Sequence, residues 1–158
     1  YKNFDKKIIF FGSLPYNVSK PIIQRIISSE FFNNNCHFIV QKEVAEKYIA
    51  KSPDSNILSL KSQLSAIPTK LLDISPGSFF PPPKVTSSLI CFAPKPEKIQ
   101  VNNEKFVKFL EKSFRSPRKT LRNNLKGTNF NTDTPTLLDK RPQELTLDEY
   151  LFLFNNLI

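Results

Sequence analysis

The part of this sequence best suited to chemistry is the junction between an apolar run, residues 7–11, and the polar loop that follows it. The loop reads Gly12-Ser13-Leu14-Pro15-Tyr16-Asn17. A β-rich run followed by a polar residue, proline and an aromatic predicts a buried strand that opens into a rigid loop. Open α/β sheets bind ligands at such carboxyl ends of strands. Because Pro15 has a fixed φ, we expect Tyr16 to hold a defined direction, with a flat face that can stack on a base.

Three further segments follow this loop at wide spacing. They are Gln41-Lys42-Glu43-Val44, the proline-rich segment 78–87 (SFFPPPKVTS), and the basic segment 114–125 (FRSPRKTLRNNL). In this order the four segments resemble the ribosomal RNA adenine N6,N6-dimethyltransferases, the kasugamycin-resistance type of small-subunit rRNA methyltransferase. The resemblance covers nearly the whole chain, whereas a single Leu-Pro-Tyr would be a weak signal. One departure is that the family has Asn where this chain has Ser13.

The resemblance implies a target-adenine pocket. The Ser13 side chain and the Leu14 carbonyl would accept the two N6 hydrogens of the adenine, while Tyr16 and Phe79 would stack on its two faces. Ser13, Leu14 and Pro15 would also border the cofactor, S-adenosyl-L-methionine. An exocyclic adenine amine is a poor nucleophile, so positioning and well-aimed acceptors supply most of the catalysis. No catalytic base or metal is expected, and the sequence offers no histidine cluster for one, since His37 is the only histidine.

Other interpretations of these residues stay open at this stage. Ser13 could be an ordinary loop residue, and Tyr16 could be a core aromatic. Phe80 could be the exposed ring in place of Phe79. The prolines 81–83 could form a polyproline II ligand for another domain, although the strand that follows at once favours a rigid loop.

The charge of the chain points to a polyanionic partner. The formal net charge is +9 and the isoelectric point is about 9.6. Residues 105–126 carry eight Lys or Arg residues against a single acidic residue, which favours nucleic acid over a merely solvated surface. The residues predicted to bind RNA phosphates are Lys84, Arg115, Arg118, Lys119 and Arg122, and the predicted partners are small-subunit rRNA and the small ribosomal subunit.

Several absences complete the sequence-based expectations. Only three glycines occur and none forms a Gly-x-Gly motif, so the phosphate-cradling turn of a nucleotide-like cofactor site is missing. The resemblance places that glycine loop upstream of Tyr1, and with no Met in the chain we expect a fragment that is inactive on its own. Two isolated cysteines predict a reducing compartment, hence the cytoplasm or an organellar matrix. No apolar run is long enough to span a membrane.

The predicted fold is α/β, the back half of a Rossmann-like methyltransferase sheet followed by a small helical domain. Strands are predicted at 7–11, 36–40, 69–74 and 85–92, and helices at 20–32, 42–50, 57–66, 104–114, 118–125 and 147–157. The strand-helix-strand order predicts a mainly parallel sheet, with the order 4-5-7-6 implied by the family. The domains are predicted at 1–94 and 95–158, and residues 7–11 should form an exposed edge through which the fragment self-associates.

The predicted function is S-adenosylmethionine-dependent dimethylation of two adjacent adenines near the 3′ end of small-subunit rRNA, in ribosome biogenesis. One alternative is a non-catalytic RNA-binding protein of the same lineage, acting in ribosome assembly or organellar transcription. A second is a large-subunit rRNA enzyme of macrolide resistance, against which the segment Arg118–Asn124 argues.

Overall fold

The structure, a computed structural model, describes residues 8–97, 99, 101–131 and 135–158. The chain divides into two compact units. The first combines Tyr1–Ile49 with Ser62–Lys98, and the second combines Ala50–Lys61 with Ile99–Ile158. The domain boundary predicted at residues 94 and 95 stays a prediction, and the structure adds that residues 50–61 group with the second unit.

The first unit is built on a four-stranded sheet. Its strands are β1 (Phe11–Ser13), β2 (Cys36–Gln41), β3 (Ala66–Ile74) and β4 (Ser87–Pro94), in the order β1-β2-β4-β3. This is the order implied by the resemblance. The prediction of a mainly parallel sheet is wrong for these strands, because only β1 and β2 pair parallel, whereas β4 runs antiparallel to both β2 and β3. The β3–β4 connection contains only a 3-10 turn and the proline-rich segment, with no helix to carry the chain back across the sheet.

The unit also contains the helices α1 (Ser19–Ile27) and α2 (Lys42–Ile49). Helix α2 packs on the sheet, as in the edge-to-face pair of Tyr48 and Phe92, whose ring centroids lie 5.0 Å apart. Burial raises the pKa of Tyr48 to about 12, and its hydroxyl donates a hydrogen bond to the Lys20 carbonyl.

Several predicted boundaries in this unit were wrong. Strand β3 begins at Ala66 instead of residue 69, and β4 runs from Ser87 to Pro94 instead of over 85–92. The first strand lies at Phe11–Ser13 instead of 7–11, of which Lys7 lies outside the described residues. Helix α1 ends at Ile27 instead of residue 32. A serine before a predicted helix favours an N-cap at Ser19, but Ser19 is the first residue of the helix. The serines that follow α1 explain the early end, because Ser29 Oγ donates to the Ile26 carbonyl and competes with the helical bonds.

The second unit is helical among its described residues, with α3 (Ile57–Gln63) crossing the division between the units. The others are α4 (Asn103–Ser113), α5 (Leu121–Asn124), α6 (Pro135–Leu138) and α7 (Leu147–Asn155). An aromatic cluster forms its core, with Phe106 and Phe109 packed on Phe154 and Tyr150. The sequence Thr146-Leu147-Asp148-Glu149 predicts a capping box at the start of α7. The prediction is confirmed, since Thr146 and Glu149 cap each other's backbone N–H groups. Within the described residues, no helix is both long and apolar enough to span a membrane.

Candidate functional site

The sheet topology brings the two predicted loops of the first unit together. In the parallel pair β1 and β2, Ser13 lies beside Ile39, and the Leu14 N–H donates to the Ile39 carbonyl at 3.1 Å. Because β4 is antiparallel, its first residue, Ser87, lies beside Gln41 at the end of β2. The segment before β4 therefore lies at the same edge of the sheet as the loop after β1.

A cavity of about 410 Å³ lies between these two loops. Its lining comes from the end of β1 and the loop after it, and from the proline-rich segment: Ser13, Leu14, Pro15, Tyr16, Phe79, Phe80, Pro81 and Pro83. All four residues predicted for the adenine pocket are among them. The structure thus brings together side chains that lie more than sixty positions apart in the sequence.

A hydrogen bond joins the two loops directly. The hydroxyls of Tyr16 and Ser87 lie 2.8 Å apart, with Ser87 fully buried and Tyr16 half-buried. The bond fixes the hydroxyl end of the Tyr16 ring, while Pro15 restricts the backbone before it. Sequence reasoning anticipated the role of Pro15 but missed Ser87, whose only signal was a small polar residue at the start of an apolar strand.

One acceptor each of Ser13 and Leu14 has no hydrogen-bond partner in the described part of the chain. Ser13 is exposed at the cavity, and its hydroxyl has no hydrogen-bond partner among the residues that the structure describes. No donor in that part of the chain reaches the Leu14 carbonyl, although the Leu14 N–H is bonded to β2. The cavity is therefore lined by two consecutive residues that each have an acceptor with no described partner, the hydroxyl of Ser13 and the carbonyl of Leu14.

The two phenylalanines of the proline-rich segment differ in exposure. Phe79 is half-buried, whereas Phe80 is 100% exposed, and both line the cavity. A half-buried ring is held on one side by the protein and can offer its other face to a ligand. This arrangement favours Phe79 as the partner of Tyr16 and leaves Phe80 at the rim.

Lys84 faces a neighbouring cavity of about 430 Å³, which it shares with Lys42 and Glu46 among other residues. Lys42 is paired with Asp73 at 3.0 Å. Hydrogen bonds to its carboxylate hold the pKa of Asp73 well below its usual range. The bond from Ser88 has the largest effect, and the bond from Lys42 has the next largest. Lys42 is therefore held in an ion pair with Asp73. Lys84 is exposed and has no ion pair among the described residues.

Three basic residues of the segment 114–125 lie in a turn, and two of them fall within the helix predicted over 118–125. Arg115, Arg118 and Lys119 are exposed in the turn before α5, and no described acidic residue pairs with them. Asn124 holds this turn, since its Oδ1 accepts from the Ser116 N–H at 3.0 Å and its Nδ2 donates to the Ser116 carbonyl at 3.1 Å. Asn124 was missed at the sequence level as an organiser of the turn.

Two more contacts of Asn124 Nδ2, to the carbonyls of Lys119 and Thr120, complete this arrangement. Arg122 differs from its basic neighbours, because its guanidinium pairs with Asp139 at 2.8 Å on an exposed part of the surface. The side chains of Arg115, Arg118 and Lys119 are therefore exposed and unpaired among the described residues, and are available to an anion.

S-adenosylmethionine needs a partner for its ribose hydroxyls and a glycine-rich turn against its nucleotide part. Ser13, Leu14 and Pro15 are among the residues that line the cavity. The lining contains no carboxylate to pair with ribose hydroxyls and no Gly-x-Gly turn among its residues. The lining therefore lacks the groups that hold the nucleotide part of S-adenosylmethionine.

Comparisons with solved structures support the fold. A dimethyladenosine transferase from Plasmodium falciparum matches 96% of this chain and 67% of its own length, with a TM-score of 0.82 and 24% identity. The 23S rRNA methyltransferase ErmE matches 99% of this chain and 68% of its own length, with a TM-score of 0.67 and 15% identity. Both likenesses show the Rossmann-like methyltransferase fold.

Comparisons of sequence show the family. Ribosomal RNA small subunit methyltransferase A of Prochlorococcus marinus is 33% identical over 99% of this chain and 64% of its own length. The protein of that name from Wolbachia pipientis is 38% identical over 93% of this chain and 59% of its own length. The chain thus spans about three fifths of the curated relatives it matches. The model of the family described as ribosomal RNA adenine dimethylase matches residues 2–155, and the chain belongs to that family.

Proposed function

We propose that a protein containing this chain dimethylates the N6 atoms of two adjacent adenines near the 3′ end of small-subunit rRNA. In this proposal the chain supplies the target-adenine pocket and an RNA-binding surface. The observation that carries it is the cavity whose lining combines Ser13 and Leu14, each with an acceptor that has no described partner, with the aromatic residues Tyr16 and Phe79. Family membership and the basic turn of the second unit support it.

The acceptors act on the nucleophile. The lone pair of the adenine N6 amine is delocalised into the ring, so the amine reacts poorly until that lone pair is localised. Hydrogen bonds from the two N6 hydrogens to Ser13 Oγ and the Leu14 carbonyl would favour a pyramidal nitrogen and stabilise the positive charge that develops on it. The proton is then lost to solvent, so the pocket needs no strong base.

The aromatic side chains orient the base. Tyr16 is fixed by its bond to Ser87, and a base stacked between Tyr16 and Phe79 has little freedom to tilt. Stacking on an aromatic side chain contributes about 1–3 kcal/mol per base, which offsets the cost of extruding the adenine from its RNA stack. Orientation of this kind contributes to turnover, because it keeps the amine in line with the methyl donor.

When bound, S-adenosylmethionine supplies an electrophilic methyl group carried on a sulfonium. Ser13, Leu14 and Pro15 are the residues of this chain that would border it. Since the cavity lining lacks a ribose partner and a glycine turn, we propose that the isolated chain binds the cofactor weakly and does not turn over.

The RNA surface of the second unit would consist of Arg115, Arg118 and Lys119, held in place by Asn124. Such side chains bind phosphates and fix the register of the RNA without reading its sequence. Lys84 would add a phosphate contact near the pocket in the first unit. Arg122 would contribute less, because Asp139 already neutralises part of its charge.

The alternative function is that of a non-catalytic RNA-binding protein. It is favoured by Ser13, which stands where the family has asparagine. The hydroxyl of serine has acceptor lone pairs but a shorter reach than an asparagine side chain. The two functions differ in their response to Ser13→Asn. In a working enzyme this change should keep or raise the rate of methyl transfer, whereas in a binding protein it should leave the absence of activity unchanged.

The proposal is tested by comparing Tyr16→Ala with wild type in a protein of the relatives' length that contains this chain. Turnover on a small-subunit rRNA hairpin should fall by about 100-fold, while RNA affinity should change by only a few-fold, because Tyr16 contacts a single base. The control is Phe31→Ala, which removes a partly exposed aromatic side chain of the first unit that does not line the cavity. This variant should keep full activity. Equal turnover in wild type and Tyr16→Ala would refute the assignment of the pocket.

A further inference from the structure

Phe80 has the most exposed large apolar side chain in the described part of the chain. It is 100% exposed, against 45% for Phe31 and 72% for Phe11. An aromatic side chain left wholly in water forgoes the stabilisation that its burial would give, so Phe80 contributes little to the stability of the fold. Its position at the rim of the cavity, next to Phe79, suggests a role in binding.

The backbone around Phe80 limits where its ring can go. Pro81 follows directly, and both Pro81 and Pro83 line the same cavity as Phe80. Their fixed φ angles restrict the segment, and the segment is anchored at the start of β4 by the bond between Tyr16 and Ser87. The ring is thus presented beside the pocket at little further cost in backbone entropy.

The proposed reaction creates a need for such a ring. This inference rests on the proposed function, in which the substrate is a pair of adjacent adenines. When one adenine leaves its stack to enter the pocket, the adenine next to it loses a stacking partner. A second exposed aromatic side chain one residue from the pocket wall can replace that partner.

We propose that Phe80 forms a second nucleobase subsite, which stacks on the adenine next to the one held between Tyr16 and Phe79. Stacking of this kind tolerates any base, because every base has a π face. Lys84, exposed a few residues further along, can meet the phosphate backbone as the RNA passes the rim. Phe80 touches no reacting atom in this arrangement, so it acts on RNA affinity and not on the chemical step.

The subsite is tested by RNA binding to this 158-residue chain. The probes are a hairpin with two adjacent loop adenines and the same hairpin with either adenine replaced by an abasic nucleotide. Phe80→Ala should weaken binding of the intact hairpin about tenfold, or about 1.4 kcal/mol, and should change binding of each abasic hairpin less than twofold. In the abasic hairpins the remaining adenine still fills the pocket, while the neighbour that Phe80 would contact is gone.

Two variants serve as controls. Phe80→Tyr keeps an aromatic face and should bind like wild type, and Phe31→Ala should bind all the hairpins like wild type. Because Phe80 is wholly exposed, its replacement removes no core packing, which circular dichroism can verify.

The outcomes separate this inference from the proposed function. An unchanged affinity of Phe80→Ala for the intact hairpin would overturn the subsite. A tenfold loss that persists with both abasic hairpins would also overturn it, because Phe80 would then stack on the target adenine itself. In the longer protein, Phe80→Ala should raise KM with kcat unchanged, whereas failure of the proposed function appears as absent methyl transfer in wild type, whatever Phe80 does to binding.

Discussion

The hydrogen bond between Tyr16 and Ser87 gives the sharpest test of how the pocket is built. Tyr16→Phe keeps the ring and removes only the hydroxyl, which lies 2.8 Å from Ser87 Oγ. Ser87 is fully buried, so its own hydroxyl would be left without a partner. An unsatisfied buried hydroxyl costs about 1–3 kcal/mol, and we expect Tyr16→Phe to lower the free energy of opening of the first unit by about 1–2 kcal/mol.

The reverse change is expected to cost less. In Ser87→Ala the Tyr16 hydroxyl loses its partner, but Tyr16 is only half-buried and its hydroxyl can turn to water. The expected loss is therefore about 1 kcal/mol, close to the net value of one hydrogen bond. In the double variant both partners are gone, and its loss should be smaller than the sum of the single losses by about 1 kcal/mol.

Amide hydrogen exchange across β2 and β4 is the assay of choice, because it reports opening of the first unit separately from the helical unit. The reasoning fails if the two hydroxyls are not coupled. In that case the loss in free energy of opening in the double variant would equal the sum of the two single losses within about 0.3 kcal/mol. In the longer protein, Tyr16→Phe should also keep more methyl transfer than Tyr16→Ala, since it keeps the stacking face.

Three further predictions concern other parts of the chain. Replacing Arg118 and Lys119 together with alanine should weaken binding to many RNA sequences and flatten the salt slope by about one unit for each lost phosphate contact. Asp73→Asn should remove acid-dependent stability, measured by urea unfolding from pH 7 down to pH 3. The pKa of Asp73 is lowered in the folded chain, so the stabilisation is present above its unfolded value of about 4 and is lost as pH falls towards the folded value. The third prediction concerns strand β1, which pairs only with β2 among the described strands and has an exposed Phe11, so the isolated chain should self-associate in sedimentation experiments.

Each of these predictions has a contradicting result. An unchanged salt slope would mean that Arg118 and Lys119 face solvent in the complex. For Asp73→Asn, an acid-dependence of unfolding identical to that of wild type would show that the contacts with Ser88 and Lys42 do not persist in solution. A clean monomer at high concentration would refute self-association through β1.

Local features of the pocket could be predicted from the sequence. The order of residues 12–17 identifies a rigid loop at the end of a strand because proline fixes φ and glycine and asparagine favour turns. The role of Ser87 could not be predicted in this way, since its bond to Tyr16 spans 71 positions and depends on β4 being antiparallel. The mainly parallel sheet was predicted from the strand-helix-strand order of the earlier elements, and that order does not extend to the β3–β4 connection, which has no helix.

The basic segment shows the same limit in the other unit. Its charges were read correctly as a cluster, but the helix predicted over 118–125 begins only at Leu121. The Asn124 side chain bonds to backbone groups of residues 116, 119 and 120 and stabilises a turn there. Side chains of asparagine compete with helical hydrogen bonds in this manner. Whether a helix or a turn forms depends on tertiary contacts, which the periodicity of the sequence does not show.

The central claim is tested most directly by mass spectrometry of a small-subunit rRNA hairpin after incubation with S-adenosylmethionine and a protein of the relatives' length that contains this chain. The account predicts two methyl groups on N6 of each of two adjacent adenines, and their loss in the Tyr16→Ala variant but not in Phe31→Ala. RNA that is bound by the wild-type protein yet remains unmethylated would contradict it, and would assign the chain to RNA binding without catalysis.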